Sequence, residues 1–154
     1  MKGDSEGRVR HALAIASERS MALVIHKPGD DSRNRKPCDY MVWWLQGAVW
    51  IEVKNAGQAV RLLNLKQQLR PAQRDGIRQA IAIGLPYLLV VWWPRVHLWT
   101  ISRLDARFVT EQTLFGSVDY ADLASKYGID CNTALLPSVL AEKIREGRVS
   151  VSVR

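Results

Sequence analysis

Asp39, Glu52 and Lys54 are the residues whose types and spacing promise chemistry. Glu52 and Lys54 stand two apart in Trp50-Ile51-Glu52-Val53-Lys54. As a strand, this stretch puts Ala48, Trp50, Glu52 and Lys54 on one face and Val49, Ile51 and Val53 on the other. The carboxylate and the ammonium then lie about 7 Å apart along one face. Asp39 opens the preceding apolar run, Tyr40 to Leu45, and Gln46-Gly47 joins the two runs as a hairpin. Two carboxylates on adjacent strands make an oxygen site for a hard divalent cation. A lysine beside them can hold and polarise a water, which is chemistry suited to phosphodiester hydrolysis. Glu-x-Lys alone is also an ordinary exposed ion pair. Here the two charges interrupt one of the most apolar segments of the chain, and burying them is costly unless something such as a metal ion compensates.

The elements that must position these residues follow from the patterning. Asp4 or Ser5 can cap a first helix over about 5–20, with Val9, Ala12, Leu13 and Ala16 as its apolar stripe. Glu6 lies in its first turn, where a negative charge suits the helix dipole. Met21 to Lys27 predicts a strand. Pro28 to Pro37 is the most polar stretch and predicts a loop, which delivers Arg33, Arg35 and Lys36 to the rim beside Asp39. That loop is either solvated or an arm that grips a phosphate backbone. Pro71 suits the first turn of a helix to about Ile83, with Ala72, Ile77, Ala80 and Ile81 buried. Arg70, Arg74 and Arg78 share one stripe of it and repel one another unless an anion binds. Leu85 to Trp93 is nearly continuous apolar sequence, as expected of a central strand covered on both faces, and Val96 to Ser102 alternates and pairs back on it. Trp43-Trp44 and Trp92-Trp93 each present one ring to either face, so one of each pair is expected in the core. The sum is an α/β domain with a central mixed sheet flanked by helices, and a strand–helix–strand crossover in its second half.

Pro37-Cys38-Asp39 followed by Trp50-Ile51-Glu52-Val53-Lys54 resembles the PD-(D/E)xK nuclease core. Ala22 to Pro28 resembles the strand after the first helix of RecU-type Holliday junction resolvases. Gln73 falls where that family and the archaeal resolvases carry a glutamine, and Gly84 to Val91 resembles their next core strand. The likeness covers about 5–102, so it implies one nuclease domain over 1–154: a restriction-endonuclease-like core, then a C-terminal helical extension over about 103–154. One departure is Cys38, which separates the proline from the aspartate. The resemblance implies a structure-selective, Mg2+- or Mn2+-dependent endonuclease that resolves four-way junction DNA by paired symmetric nicks, leaving 5′-phosphate and 3′-hydroxyl ends. It implies a homodimer acting in recombination and repair. It implies that Asp39, Glu52 and the Val53 carbonyl ligate the metal, with Glu6 as a further candidate ligand. Lys54 would orient the attacking water, and Gln73 would place that water or the scissile phosphate.

Composition agrees with a nucleic-acid partner. The chain of 154 residues carries a formal net charge of +7, and 15 of its 22 cations are arginine, which suits bidentate phosphate contacts. Cys38 and Cys131 have no metal spacing and suit a reducing compartment. The start, Met-Lys-Gly-Asp-Ser-Glu, lacks a secretory pattern, and Leu85 to Trp93 is too short to span a bilayer. A cytoplasmic protein without membrane contact is expected, with a virus-encoded protein acting in a bacterial host as one open origin. No histidine pattern, Ser-His-Asp arrangement, phosphate loop or dinucleotide fingerprint occurs. Two alternatives remain at this stage. One is another nuclease of the same fold, acting on flaps, duplex or foreign DNA. The other is a non-catalytic basic binder using the arginine stripe and exposed tryptophans. Past Leu104, residues 119–126 and 137–146 predict helices, read as a cap or dimer arm, with a helix-turn-helix as the lesser reading.

Overall fold

The computed structural model describes residues 4–19, 22–29, 36–110 and 116–147. Arg33, Arg35 and residues 148–154 lie outside these residues. Helix α1 (Ser5–Arg19) leads into strands β1 (Val24–His26), β2 (Tyr40–Trp44) and β3 (Gly47–Asn55). Next come β4 (Leu62–Asn64), the single turn α2 (Leu65–Gln68), α3 (Pro71–Ala82), β5 (Tyr87–Trp93) and β6 (Leu98–Leu104). The remainder is α4 (Ala106–Thr110), β7 (Ser117–Asp119), a π-helical turn (Asp122–Lys126), β8 (Gly128–Cys131), a 3-10 turn (Thr133–Leu135) and α5 (Leu136–Glu146).

A six-stranded mixed sheet in the order β1-β2-β3-β5-β6-β8 forms the centre, and a small β4-β7 sheet lies beside it. Only β3 and β5 pair in parallel within the six, so the chain must cross over between them, and α3 lies in that crossover. The expected hairpin of β2 and β3 is antiparallel, with Tyr40 opposite Ile51. Each face of the sheet carries its own core. On one, Val42, Val49, Ile51, Leu88, Val90, Trp99 and Ile101 pack with Val9, Ala12 and Leu13 of α1 and Leu136, Leu140 and Ile144 of α5. On the other, Tyr87, Leu89, Val91 and Trp93 pack with Ile77 and Ala80 of α3, Leu63, Leu65 and Val118. Strand β5 feeds both cores, which is why its sequence is apolar without alternation. Helix α3 begins on Pro71 and stops before Gly84, whose φ of +75° ends the helix and turns the chain toward β5.

The region after residue 103 departs from the expected helical extension. It contains two strands as well as helices, and β8 is the sixth strand of the main sheet. Its four residues, Gly-Ile-Asp-Cys, are too few for a clear period-two pattern. Gly128 lets β8 approach β6 closely, since a Cβ there would overlap Ile101 O and the Cα of Ser102. Helix α5 is a core helix against α1, not a free arm, and residues 119–146 do not form a helix-turn-helix. The tryptophan pairs differ. Trp93 is fully buried and donates from Nε1 to Thr100 Oγ1 at 2.9 Å, whereas Trp43 is 41% exposed and Trp44 only partly buried at the sheet edge. Among the described residues no helix is long and apolar enough to cross a membrane.

Candidate active site

Asp39 follows a bend just before β2, one step beyond the Tyr40–Ile51 pair. Its N–H donates to Ile51 O at 3.0 Å, and its Oδ2 accepts from Val53 N–H at 2.7 Å. β2 has already ended here, so the Asp39 side chain replaces the missing ladder partner of Val53. Within a strand, N–H and C=O of one residue point to the same side. The Val53 carbonyl therefore also faces this open edge of β3. Glu52 lies on the same face of β3 as Trp50, and Asp39, beyond the last β2–β3 pair, brings its carboxyl up to that of Glu52.

Glu52 is completely buried. Its Oε1 accepts from Gln73 Nε2 at 3.1 Å and lies 3.9 Å from Lys54 Nζ. Its Oε2 receives no hydrogen bond. Burial pushes the Glu52 carboxyl well above its ordinary range, and the hydrogen-bonding approach and charge of Asp39 push it further, while Lys54 and Lys36 pull it back. Two facing carboxyl groups, one with an unbonded oxygen, call for a shared proton or a cation.

Gln73 ties the site together. It sits at the third position of α3, where its Oε1 accepts from Arg70 N–H at 2.9 Å and from Lys54 Nζ at 3.4 Å. The half of a capping box that holds the helix start thus also holds the lysine and, through Nε2, the glutamate. Glu6, Lys36, Asp39, Val53, Lys54, Arg70 and Gln73 line an open cavity of about 400 Å³. Glu6 reaches it because the start of α1 is docked on β2 and β3. Tyr40 Oη donates to Glu6 O at 3.3 Å, and Asn55 Nδ2 donates to Ser5 Oγ at 3.1 Å.

The fold brings Asp39, Glu52, Val53, Lys54 and Gln73 together and sets Glu6 on the cavity wall. The Glu6 carboxylate is paired with Lys27 at 3.2 Å. Among the described residues no three His, Cys, Asp or Glu side chains cluster closely enough to hold an ion. The donor set is two carboxylates and one carbonyl. All are oxygens, which suits a hard divalent cation that keeps several waters, and the unbonded Oε2 of Glu52 suits it too. Cys38 is not a competing ligand. It is buried, its Sγ–H points to Tyr40 O at 3.3 Å, and burial together with the Glu52 charge pushes the thiol up to about 12.

The expected DNA contacts are distributed differently from their sequence positions. Lys36 does not stand on the rim: its Nζ lies 3.5 Å from Asp39 Oδ1, with both side chains about nine-tenths buried. Arg70 lines the cavity. Arg78 pairs with Asp75 at 3.3 Å, so an anion on the same helix already offsets part of the arginine stripe. Arg74 makes intramolecular interactions of its own and does not line the cavity. Sequence reasoning missed Gly76 and Tyr87. Tyr87 Oη donates to Pro37 O at 2.8 Å, and Gly76 lets α3 rest on Pro37.

The fold and site define an α/β protein with a mixed sheet whose open strand edge gathers acidic and basic side chains. Its architecture is similar to that of Hjc from Archaeoglobus fulgidus, a Holliday junction resolvase from an archaeal hyperthermophile, with a TM-score of 0.54. The likeness covers 86% of this chain and 95% of that one at 15% identity. No protein-family model and no curated protein sequence matches the chain.

Proposed function

We propose that this protein is a metal-dependent DNA endonuclease of the PD-(D/E)xK type that resolves four-way junctions. The observation that carries the reading is the fully buried Glu52, held by Gln73 beside Asp39, with one carboxylate oxygen left without a hydrogen bond. Such a charge persists in a core when a cation compensates it. The architecture shared with an archaeal junction resolvase supports the choice of substrate, and so does the net charge of +7.

In this reading Asp39, Glu52 and the Val53 carbonyl would hold Mg2+ or Mn2+, with Glu6 as a further candidate ligand. The ion supplies Lewis acidity toward a phosphoryl oxygen and a lowered pKa for water. Lys54 orients the attacking water and stabilises negative charge as it develops on phosphorus. Gln73 fixes the Lys54 ammonium and the Glu52 carboxylate in one frame, so their separation does not depend on long, free rotamers. Arg70 meets the DNA backbone from the cavity wall. Arg33 and Arg35, carried by the polar loop, add backbone contacts, and the products carry 5′-phosphate and 3′-hydroxyl ends. Two symmetric nicks require two active sites, hence a two-fold homodimer on the junction.

The test is cleavage of a synthetic four-way junction, with and without Mg2+, beside flap, fork and linear duplex at equal concentration. Paired symmetric nicks in the junction are expected, with Asp39→Asn, Glu52→Gln and Lys54→Ala abolishing cleavage while junction binding is largely retained. Full nicking by any of the three variants removes the assignment of roles. Preferential cutting of flap or duplex keeps the nuclease and changes its substrate.

A further inference from the structure

Lys36 ends the polar loop, but its ammonium is folded into the cavity against Asp39 Oδ1, at 3.5 Å. The other oxygen, Oδ2, is held by Val53 N–H at 2.7 Å. Asp39 therefore has one oxygen locked to the sheet edge and one facing a lysine. The backbone next to Lys36 is clamped, since Pro37 O accepts from Tyr87 Oη at 2.8 Å and Pro37 packs on Gly76. Its side chain lines the cavity of about 400 Å³.

We propose that Lys36 is a displaceable counter-ion: it neutralises Asp39 Oδ1 in the metal-free protein and surrenders that oxygen to the divalent cation. The inference rests on the metal reading above. One carboxylate oxygen cannot face an ammonium and a doubly charged ion together without strong repulsion between the two cations. The displaced ammonium stays in the cavity with Lys54 and Arg70, on the side where a phosphate enters. Lys36 would then pass from Asp39 to an incoming DNA phosphate. The resting pair keeps two facing carboxylates from standing uncompensated, and because the ion must displace it, the pair holds metal affinity below what a neutral residue at position 36 would allow.

The test measures Mn2+ binding to the metal-free protein, by calorimetry or by the signal of free Mn2+ in electron paramagnetic resonance. Wild type, Lys36→Met, Lys36→Arg, Arg70→Met and Glu52→Gln are compared at one pH and ionic strength. Lys36→Met is expected to tighten Mn2+ about tenfold, the usual effect of removing a close opposite charge from a carboxylate. Lys36→Arg should stay near wild type. Arg70→Met removes a cation from the same cavity but not from Asp39, and should tighten binding by no more than about threefold. Lys36→Gln repeats the test if the methionine variant fails to fold. Unchanged or weaker binding in the neutral Lys36 variants overturns the inference, and so does an equal gain in Arg70→Met. If the wild type binds no Mn2+, the metal reading and this inference fall together. If the wild type binds Mn2+, Glu52→Gln loses it and Lys36→Met gains nothing, this inference alone falls.

Discussion

Gly76 and Pro37 touch so closely that a Cβ on the glycine would stand 2.6 Å from Pro37 Cβ and 2.8 Å from Pro37 O. Helix α3 therefore rests directly on the segment that delivers Asp39, and the missing side chain is what permits it. Tyr87 Oη holds the same carbonyl from β5 at 2.8 Å. Gly76→Ala should push Pro37 away and carry Asp39 with it. We expect a loss of about 1–3 kcal/mol in stability, as for overpacking in a core, and a larger fractional loss of Mn2+ affinity. Tyr87→Phe should cost about 1 kcal/mol and leave the packing intact. Chemical denaturation and metal titration of the two variants check both expectations. A Gly76→Ala protein with wild-type metal affinity would show that Asp39 is placed without α3.

Gln73 makes three side-chain bonds, to Glu52, Lys54 and the Arg70 backbone. Gln73→Ala removes all three, and Lys54 loses a partner that fixes its ammonium. The expected result is a fall of about 10²-fold in the single-turnover cleavage rate at saturating junction and metal, the scale set by misplaced catalytic groups. Junction affinity should change little, because Gln73 is buried. A rate within a factor of about three of wild type would remove Gln73 from the positioning of the site.

Glu52 carries a carboxyl raised well above its ordinary value by burial first and by Asp39 second. A raised carboxyl pKa in the folded state means that folding favours the protonated form. Its contribution to stability is fully present below the ordinary carboxylate range and is lost as pH rises through the folded value. Glu52→Gln removes that loss. The metal-free variant should therefore be more stable than wild type at neutral pH, by about 1 kcal/mol or more, and the gap should close on acidification. Adding Mn2+ should stabilise the wild type and leave the variant unmoved. Urea unfolding at a series of pH values, with and without Mn2+, gives both comparisons.

The parts of this architecture that were legible in the sequence are those with strong periodicity. The alternation around Glu52, the unbroken apolar run of β5 and the Pro71 start of α3 each specify an element by themselves, and the β2–β3 hairpin then brings Asp39 close to Glu52. The positions of β7 and β8 were not legible, because strands of three and four residues hold too few side chains to display a period. The polar loop that ends in Lys36 predicts a place on the rim for it. In the fold its ammonium turns inward to the Asp39 carboxylate. The importance of Gly76 was hidden for a related reason. A glycine inside a helix reads as a mild penalty until the element packed against it is known.

The arginine stripe of α3 supplies a last prediction, since its members are not equivalent. Arg70 precedes the helix and lines the cavity, whereas Arg78 lies two turns along and already faces Asp75 at 3.3 Å. A phosphate that approaches Arg78 must compete with that carboxylate, and the exposed pair itself contributes little to stability. Arg70→Ala should weaken binding of a four-way junction and lower the dependence of log affinity on log salt by about one unit, the signature of one lost phosphate contact. Arg78→Ala should leave the slope within about half a unit of wild type. Asp75→Asn removes the carboxylate that a phosphate at Arg78 must compete with and should move binding in the opposite direction, toward tighter association at low salt. Fluorescence anisotropy of a labelled junction across a salt series separates the three variants. Equal slopes for Arg70→Ala and Arg78→Ala would mean that the DNA runs along the whole of α3, beyond the cavity that holds Asp39 and Lys54.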